Sequence, residues 1–172
     1  MGYWSPFYHA GTLIDLSHLD PFEFRCGVAN EPERRVSVTF DEHTFTREII
    51  PEDPAEYLCF KNRVFCPVRY GLSHKLRGVI ETFPHARVYE TWERSGYVYF
   101  AADVASPTGP YHVFLNVKRY EFSKKKKGVA MHILSAYPRA AGVYGDGQRL
   151  NTVDFARLVE NTYMGRSIKF SR

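Results

Sequence analysis

The sequence predicts an α+β fold in which a helix packs on a four-stranded antiparallel meander, with an N-terminal β-hairpin extension and a C-terminal helix. Three observations carry this. Tyr111 to Arg139 reads as two alternating runs around a basic loop: Y-H-V-F-L-N-V-K-R-Y-E-F, then S-K-K-K-K-G, then V-A-M-H-I-L-S-A-Y-P-R. Between Pro67 and Pro84, the residues Val68, Leu72, Leu76, Val79, Ile80 and Phe83 recur at the three-and-four spacing of an amphipathic helix. The remaining strands are joined by hairpin-length links, without the strand–helix alternation that a parallel sheet requires.

In chain order, residues 1 to 24 mix aromatics with Pro and Gly, and Asp15 to Pro21 reads as a short turn or a single helical turn ended by proline. Phe22 and Phe24 alternate with Glu23 and Arg25. After the turn Asn30-Glu31-Pro32-Glu33, Arg35 to Phe40 alternates again, giving the N-terminal hairpin. Asp41 to Pro54 is polar, closes on Pro51 and Pro54, and is expected to be irregular. The amphipathic helix follows, with Arg69, Ser73, Arg77 and Glu81 on its outer face and Gly71 and Gly78 weakening it. Arg87 to Trp92 and Tyr97 to Asp103 are strands joined by Glu93-Arg94-Ser95-Gly96, and Ser106 to Pro110 is a loop. After the central hairpin, Gly142 to Gly147 breaks the chain. Asn151 or Thr152 then caps a last helix, with Val153, Ala156, Leu158, Val159 and Tyr163 facing inward. The 172 residues make one domain, with 1–60 as the hairpin and loop extension and 61–172 as the core.

Aromatics at 16% and charged residues at 24% describe a folded chain and exclude a disordered tail. A formal charge of +4 and a pI near 8.9 permit a polyanionic partner without requiring one. No apolar run approaches the length of a membrane helix, and M-G-Y-W-S-P-F-Y-H has neither a basic nor an apolar leader region. A cytoplasmic location with no membrane partner is the expectation. Cys26, Cys59 and Cys66, odd in number and sparse, read as reduced thiols. A zinc site drawn from them with His43 and His74 lacks the tight spacing of a knuckle, so neither a metal nor another cofactor is expected.

The central hairpin carries the candidate chemistry. With Ser123 to Gly128 as its loop, Lys118 pairs with Ile133, Asn116 with Ser135, Phe114 with Tyr137 and His112 with Arg139. One side then presents Val113, Leu115, Val117, Ala130, Leu134 and Ala136 as core. The other presents His112, Asn116, Lys118, Ser135, Tyr137 and Arg139, a set able to handle an anion. His132 points to the core side, beside Arg119. Metal-free RNA cleavage needs a base for the 2′-hydroxyl, an acid for the departing 5′-oxygen and donors around the phosphate. His112 suits base or acid, Lys118 and Arg139 suit phosphate clamps, and Ser135 and Tyr137 suit donors or a stacking surface. Asn116 and the loop lysines Lys124, Lys125, Lys126 and Lys127 are the substrate-binding candidates. A plainly solvated sheet face is the competing reading. His43 follows Asp41 and Glu42, enough to orient an imidazole but with no partner nucleophile in sequence reach.

The closing strand Ile133-Leu134-Ser135-Ala136-Tyr137-Pro138-Arg139, after a basic aromatic strand and a charged loop, resembles that of the barnase–EndoU–colicin–RelE group of metal-independent RNases. Ser135 and Tyr137 match the group's Ser/Thr-x-Tyr/Trp ending, and His74, Lys75, His112 and Lys118 are candidates for its basic positions. A further likeness, to short proteins of bacterial mobile elements, is carried by Phe40 to Thr46, Phe65 to Ser73 and Ser135 to Arg139. The resemblance implies a toxin or stress effector that cleaves RNA to a 2′,3′-cyclic phosphate, with an immunity or antitoxin protein as a second partner. The alternative is a catalytically silent version of the fold, acting as a phage- or plasmid-encoded inhibitor or partner protein.

Overall fold

A computed structural model describes residues 3–92, 98–104, 111–123, 126–138 and 151–171. The chain is α+β, and most of its regular structure is strand. It opens with a small hairpin, β1 (Phe7–His9) and β2 (Thr12–Ile14). The turn runs through Ala10 and Gly11 at φ of 48° and 77°, a geometry that Gly11 adopts without strain. The expected turn before Pro21 is present as a single 3-10 turn, Ser17–Leu19.

The N-terminal hairpin forms as β3 (Phe22–Cys26) and β4 (Arg34–Phe40). It is followed by β5 (Thr46–Glu48), β6 (Leu58–Phe60) and β7 (Arg63–Phe65). Then come α1 (Pro67–Ser73), α2 (Leu76–Glu81), β8 (Arg87–Trp92), β9 (Val98–Val104), β10 (Tyr111–Ser123), β11 (Lys126–Pro138), β12 (Thr152–Asp154) and α3 (Phe155–Met164).

The main sheet has seven strands in the order β12-β8-β9-β10-β11-β4-β3. It does not stop at four. The hairpin expected as an extension is instead one edge of this sheet, because β4 pairs in parallel with β11, Val36 opposite Val129 through Phe40 opposite Ile133. Val36, Val38 and Phe40 then lie on the same apolar side as Val129, Met131 and Ile133, all at most 2% exposed. Burying each such side chain is worth about 1.5–3 kcal/mol, which outweighs a sequence preference for purely antiparallel links.

α3 lies across β10, β11 and β4 on that apolar side, where Phe155 packs 5.3 Å from Phe83 and 6.3 Å from Phe24 between ring centroids. Glu160 anchors the helix, accepting two bonds from the Arg34 guanidinium at 2.7 and 3.0 Å, while Arg34 also sits 4.2 Å over the Tyr163 ring. The helix begins at Phe155, later than the sequence suggests, because Thr152 to Asp154 are spent on pairing with β8. Gly165 closes it in the left-handed conformation.

The single helix expected over 68–83 is divided into α1, α2 and a 3-10 turn, Phe83–His85. At the break the Ser73 hydroxyl donates to the Tyr70 carbonyl and lies 2.7 Å from His18 Nε2, a local bond that competes with helix continuation. Leu76, Ile80 and Phe83 are buried as their spacing implies, whereas Val68 is left 58% exposed. Residues 41–54, expected to be irregular, contain β5. It joins a second sheet, β5-β7-β6, and just before β5 Phe45 is surrounded by Trp4 at 5.2 Å, Phe60 of β6 at 5.6 Å and Phe7 of β1 at 6.1 Å. Among the described residues, no helix is long and apolar enough to cross a membrane.

The register of β10 and β11 differs from the expected one. His112 is opposite Tyr137 and Phe114 opposite Ser135; then Leu134 bulges out, and Leu115 is opposite Ile133, Asn116 opposite His132 and Lys118 opposite Ala130. One extra residue reverses the alternation of everything beyond it. His132, expected toward the core, is therefore on the polar face beside Asn116. The core side gains Ile133, Met131 and Val129 in place of the expected Leu134 and Ala130.

Candidate active site

The polar face of β4, β11 and β10 gathers its chemistry where β4 ends. Thr39 is the β4 neighbour of His132, and its Oγ1 lies 2.8 Å from His132 Nδ1. The Asp41 amide then donates to the Ile133 carbonyl at 2.9 Å, carrying the β4–β11 ladder one residue past the strand. Asp41 also caps a 3-10 turn, Glu42–Thr44: its carboxylate accepts from the His43 amide at 3.0 Å, the usual device by which Asp starts a turn. This turns the His43 ring back toward the carboxylate that caps it. His43 Nε2 is 3.8 Å from Asp41 Oδ1, and His132 Nε2 is 3.6 Å from Asp41 Oδ2.

Two imidazoles thus flank the two oxygens of one carboxylate. The side chains of His43, His132 and Asp41 remain 45%, 35% and 29% exposed, so solvent and a ligand can reach them. Partial burial works to raise the Asp41 carboxyl, but the nearby His132 ring, the His43 amide that donates to it and the His43 ring together outweigh it and hold the group below its ordinary value. Asp41 is therefore an anion at neutral pH, able to orient either ring and to stabilise it when protonated.

The same turn contains the residues best placed to hold a cation. Ligand atoms of Asp41, Glu42 and His43 all lie within 4.8 Å of one another. The cysteines are not part of this group. Burial pushes the Cys26 thiol up to about 11, and the Cys59 thiol lies 3.7 Å from the Arg63 carbonyl to which it donates.

The residues singled out in the sequence fall in two groups. Asn116 and exposed Lys118 share the polar face with His132, Lys118 one pair further along β10. His112, Ser135 and Tyr137 are on that face too, but beyond the bulge. His112 is 0% exposed. Tyr137 is engaged in packing, its ring stacked 5.5 Å from Phe114 and 4.9 Å beneath the Arg69 guanidinium. Six residues of strand separate His112 from Lys118, roughly 20 Å, so the two cannot serve one phosphate. Lys127 is exposed, 4.0 Å from Glu121. Arg139, Lys124, Lys125 and the Lys126 side chain lie outside the described residues.

His132 was the residue that sequence reasoning turned the wrong way, since counting by alternation assumes an unbroken ladder and Leu134 carries no sign of a bulge. The signal at Asp41-Glu42-His43 is legible in the sequence. Its partner, 89 positions on at His132, becomes visible only through the parallel pairing of β4 with β11.

A family model described as the YjaZ family matches residues 6–163, most of the chain, which therefore belongs to the YjaZ family. No curated protein and no solved structure matches it.

Proposed function

We propose that this member of the YjaZ family is a metal-independent endoribonuclease that cleaves RNA by internal transesterification, with His43 and His132, not buried His112, as its acid–base pair. The observation that carries the reading is the pair of solvent-reached imidazoles on opposite oxygens of Asp41. One ring accepts the 2′-hydroxyl proton as the 2′-oxygen attacks phosphorus. The other, protonated and stabilised by Asp41, gives its proton to the departing 5′-oxygen, leaving a 2′,3′-cyclic phosphate. Lys118 and Asn116, on the same face, supply charge and donors to the phosphate oxygens as they gain charge. Such an activity would make the protein a toxin or stress effector of a mobile element, with RNA as substrate and an immunity protein as a natural partner.

The test is incubation of the purified protein with end-labelled RNA in excess EDTA. Cyclic-phosphate ends, and loss of cleavage by about 10²-fold or more in His43→Ala and in His132→Ala, are expected. A second reading rests on the close ligand atoms of Asp41, Glu42 and His43, which suit a divalent cation. It predicts cleavage that stops in EDTA, returns with Mg²⁺, Mn²⁺ or Zn²⁺ and leaves no cyclic phosphate. RNA, including tRNA and ribosomes, that stays intact under both conditions overturns both readings and leaves a binding protein of the same fold.

A further inference from the structure

Beside His43 the chain forms a hollow of about 520 Å³ between the β6–β7 turn and β5, lined by Glu42, His43, Glu48, Lys61, Asn62 and Arg63. Arg63 is its unusual member. It is only 7% exposed, and its Nε donates to Thr46 Oγ1 at 2.6 Å and its Nη2 to the Thr46 carbonyl at 3.1 Å. Among the described residues no carboxylate comes within ion-pair distance of it. The guanidinium has five N–H groups, so donors remain after these two bonds.

A second guanidinium approaches the same spot. Arg69 Nη1 donates to the same Thr46 carbonyl at 2.8 Å and to the His43 carbonyl at 3.1 Å, also without an ion-pair partner among the described residues. Burial first, and then the nearby Arg69 charge, push the Arg63 guanidinium below its ordinary value, and the surrounding carboxylates offset this only in part. Glu42, Glu48 and Asp41 act on it only at longer range. A buried charge compensated only in part is costly, and a chain that retains it at a cavity wall gains by taking up an anion there.

We infer that this hollow is a phosphate-binding subsite, in which Arg63 and Lys61 hold an oxyanion next to His43. Under the proposed function it takes the phosphate adjacent to the scissile one, and to that extent it rests on that reading. A guanidinium fork matches two phosphate oxygens, and exposed Lys61 adds a mobile charge at the mouth. Asn62, at φ 55° in the two-residue turn between β6 and β7, lets the chain double back so that Lys61 and Arg63 line the same hollow. Glu42 and exposed Glu48 are the opposing charges of the lining, Glu48 the one at the rim.

The experiment is a titration of the full chain with pyrophosphate in EDTA, read by amide chemical shifts and by calorimetry. Shifts are expected at residues 42–48 and 61–64. Lys61→Ala is expected to weaken binding about fivefold, and Glu48→Gln to tighten it by a similar factor. Both residues are exposed, so folding is not at stake. Shifts confined to the lysine hairpin tip, no saturable binding, or unchanged affinity in both variants overturns the inference. Because the readout is binding, pyrophosphate held here by a chain that cleaves no RNA would preserve the subsite and sink only the nuclease. Cleavage without binding at this hollow would do the reverse.

Discussion

His18 should make the fold lose stability in mild acid. Its ring stacks on His74 at 3.6 Å, its Nε2 lies 2.7 Å from the Ser73 hydroxyl, and its Nδ1 is buried without a hydrogen-bond partner. Since the Ser73 hydroxyl donates to the Tyr70 carbonyl, His18 presents it with an N–H, leaving Nδ1 as the bare nitrogen that a second proton would have to occupy. Burial, followed by repulsion from His74, lowers its pKa from 6.5 to about 4, while Asp15 pulls weakly the other way. A depressed histidine pKa means that the unfolded chain binds the proton more readily. The stabilisation is therefore complete above pH 6.5 and is lost as the pH falls from there toward 4.

For an enclosed group that shift would remove about 2 kcal/mol between pH 7 and pH 5; the ring is only partly buried, and solvent screening leaves about 1 kcal/mol. Urea unfolding of the native chain and of His18→Gln, at both pH values, isolates this from other titrations. The stability difference between the two should change by about 1 kcal/mol in favour of the variant on going to pH 5, and by less in a His74→Gln background. A difference that stays constant within about 0.3 kcal/mol across the two pH values would refute the reasoning.

Three other outcomes follow from the structure. Asp41→Asn keeps a residue that caps well and removes the charge; under the proposed function RNA cleavage should then fall by about 10²-fold, while thermal melting stays within a few degrees of the native value. Phe155→Ala, at a site 0% exposed between Phe24 and Phe83, should cost about 3–5 kcal/mol in denaturant unfolding. Glu160→Gln leaves the Arg34 guanidinium in its partly buried setting with only a neutral acceptor, and should lower stability by about 2 kcal/mol, or roughly 4–8 °C in Tm.

Local patterns in the sequence carried local structure well. The alternation at Phe22–Arg25, Arg35–Phe40 and Tyr111–Tyr120 gave strands, and the spacing of Leu76, Ile80 and Phe83 gave a buried helical face. What the patterns could not carry is which strand meets which. The joining of β4 to β11 depends on two apolar surfaces fitting after more than eighty intervening residues, and nothing between them encodes it. The bulge at Leu134 falls just where the pairing of β11 with β4 ends, another feature that alternation along β11 does not carry. The site depends on both features. His112 was chosen for its residue type and alternation, and burial removed it from solvent; His43 and Asp41 were visible but lacked a partner until β11 was placed.

The parallel pairing also has a consequence in time. His132 leaves the ribosome 89 residues after His43, and β4 has no parallel neighbour before then. A nascent or truncated polypeptide ending before β11 holds one of the two site imidazoles and lacks the strand that joins β4 to β10. The pairing of the two imidazoles on Asp41 is thus withheld during synthesis by topology alone, until β11 docks beside β4.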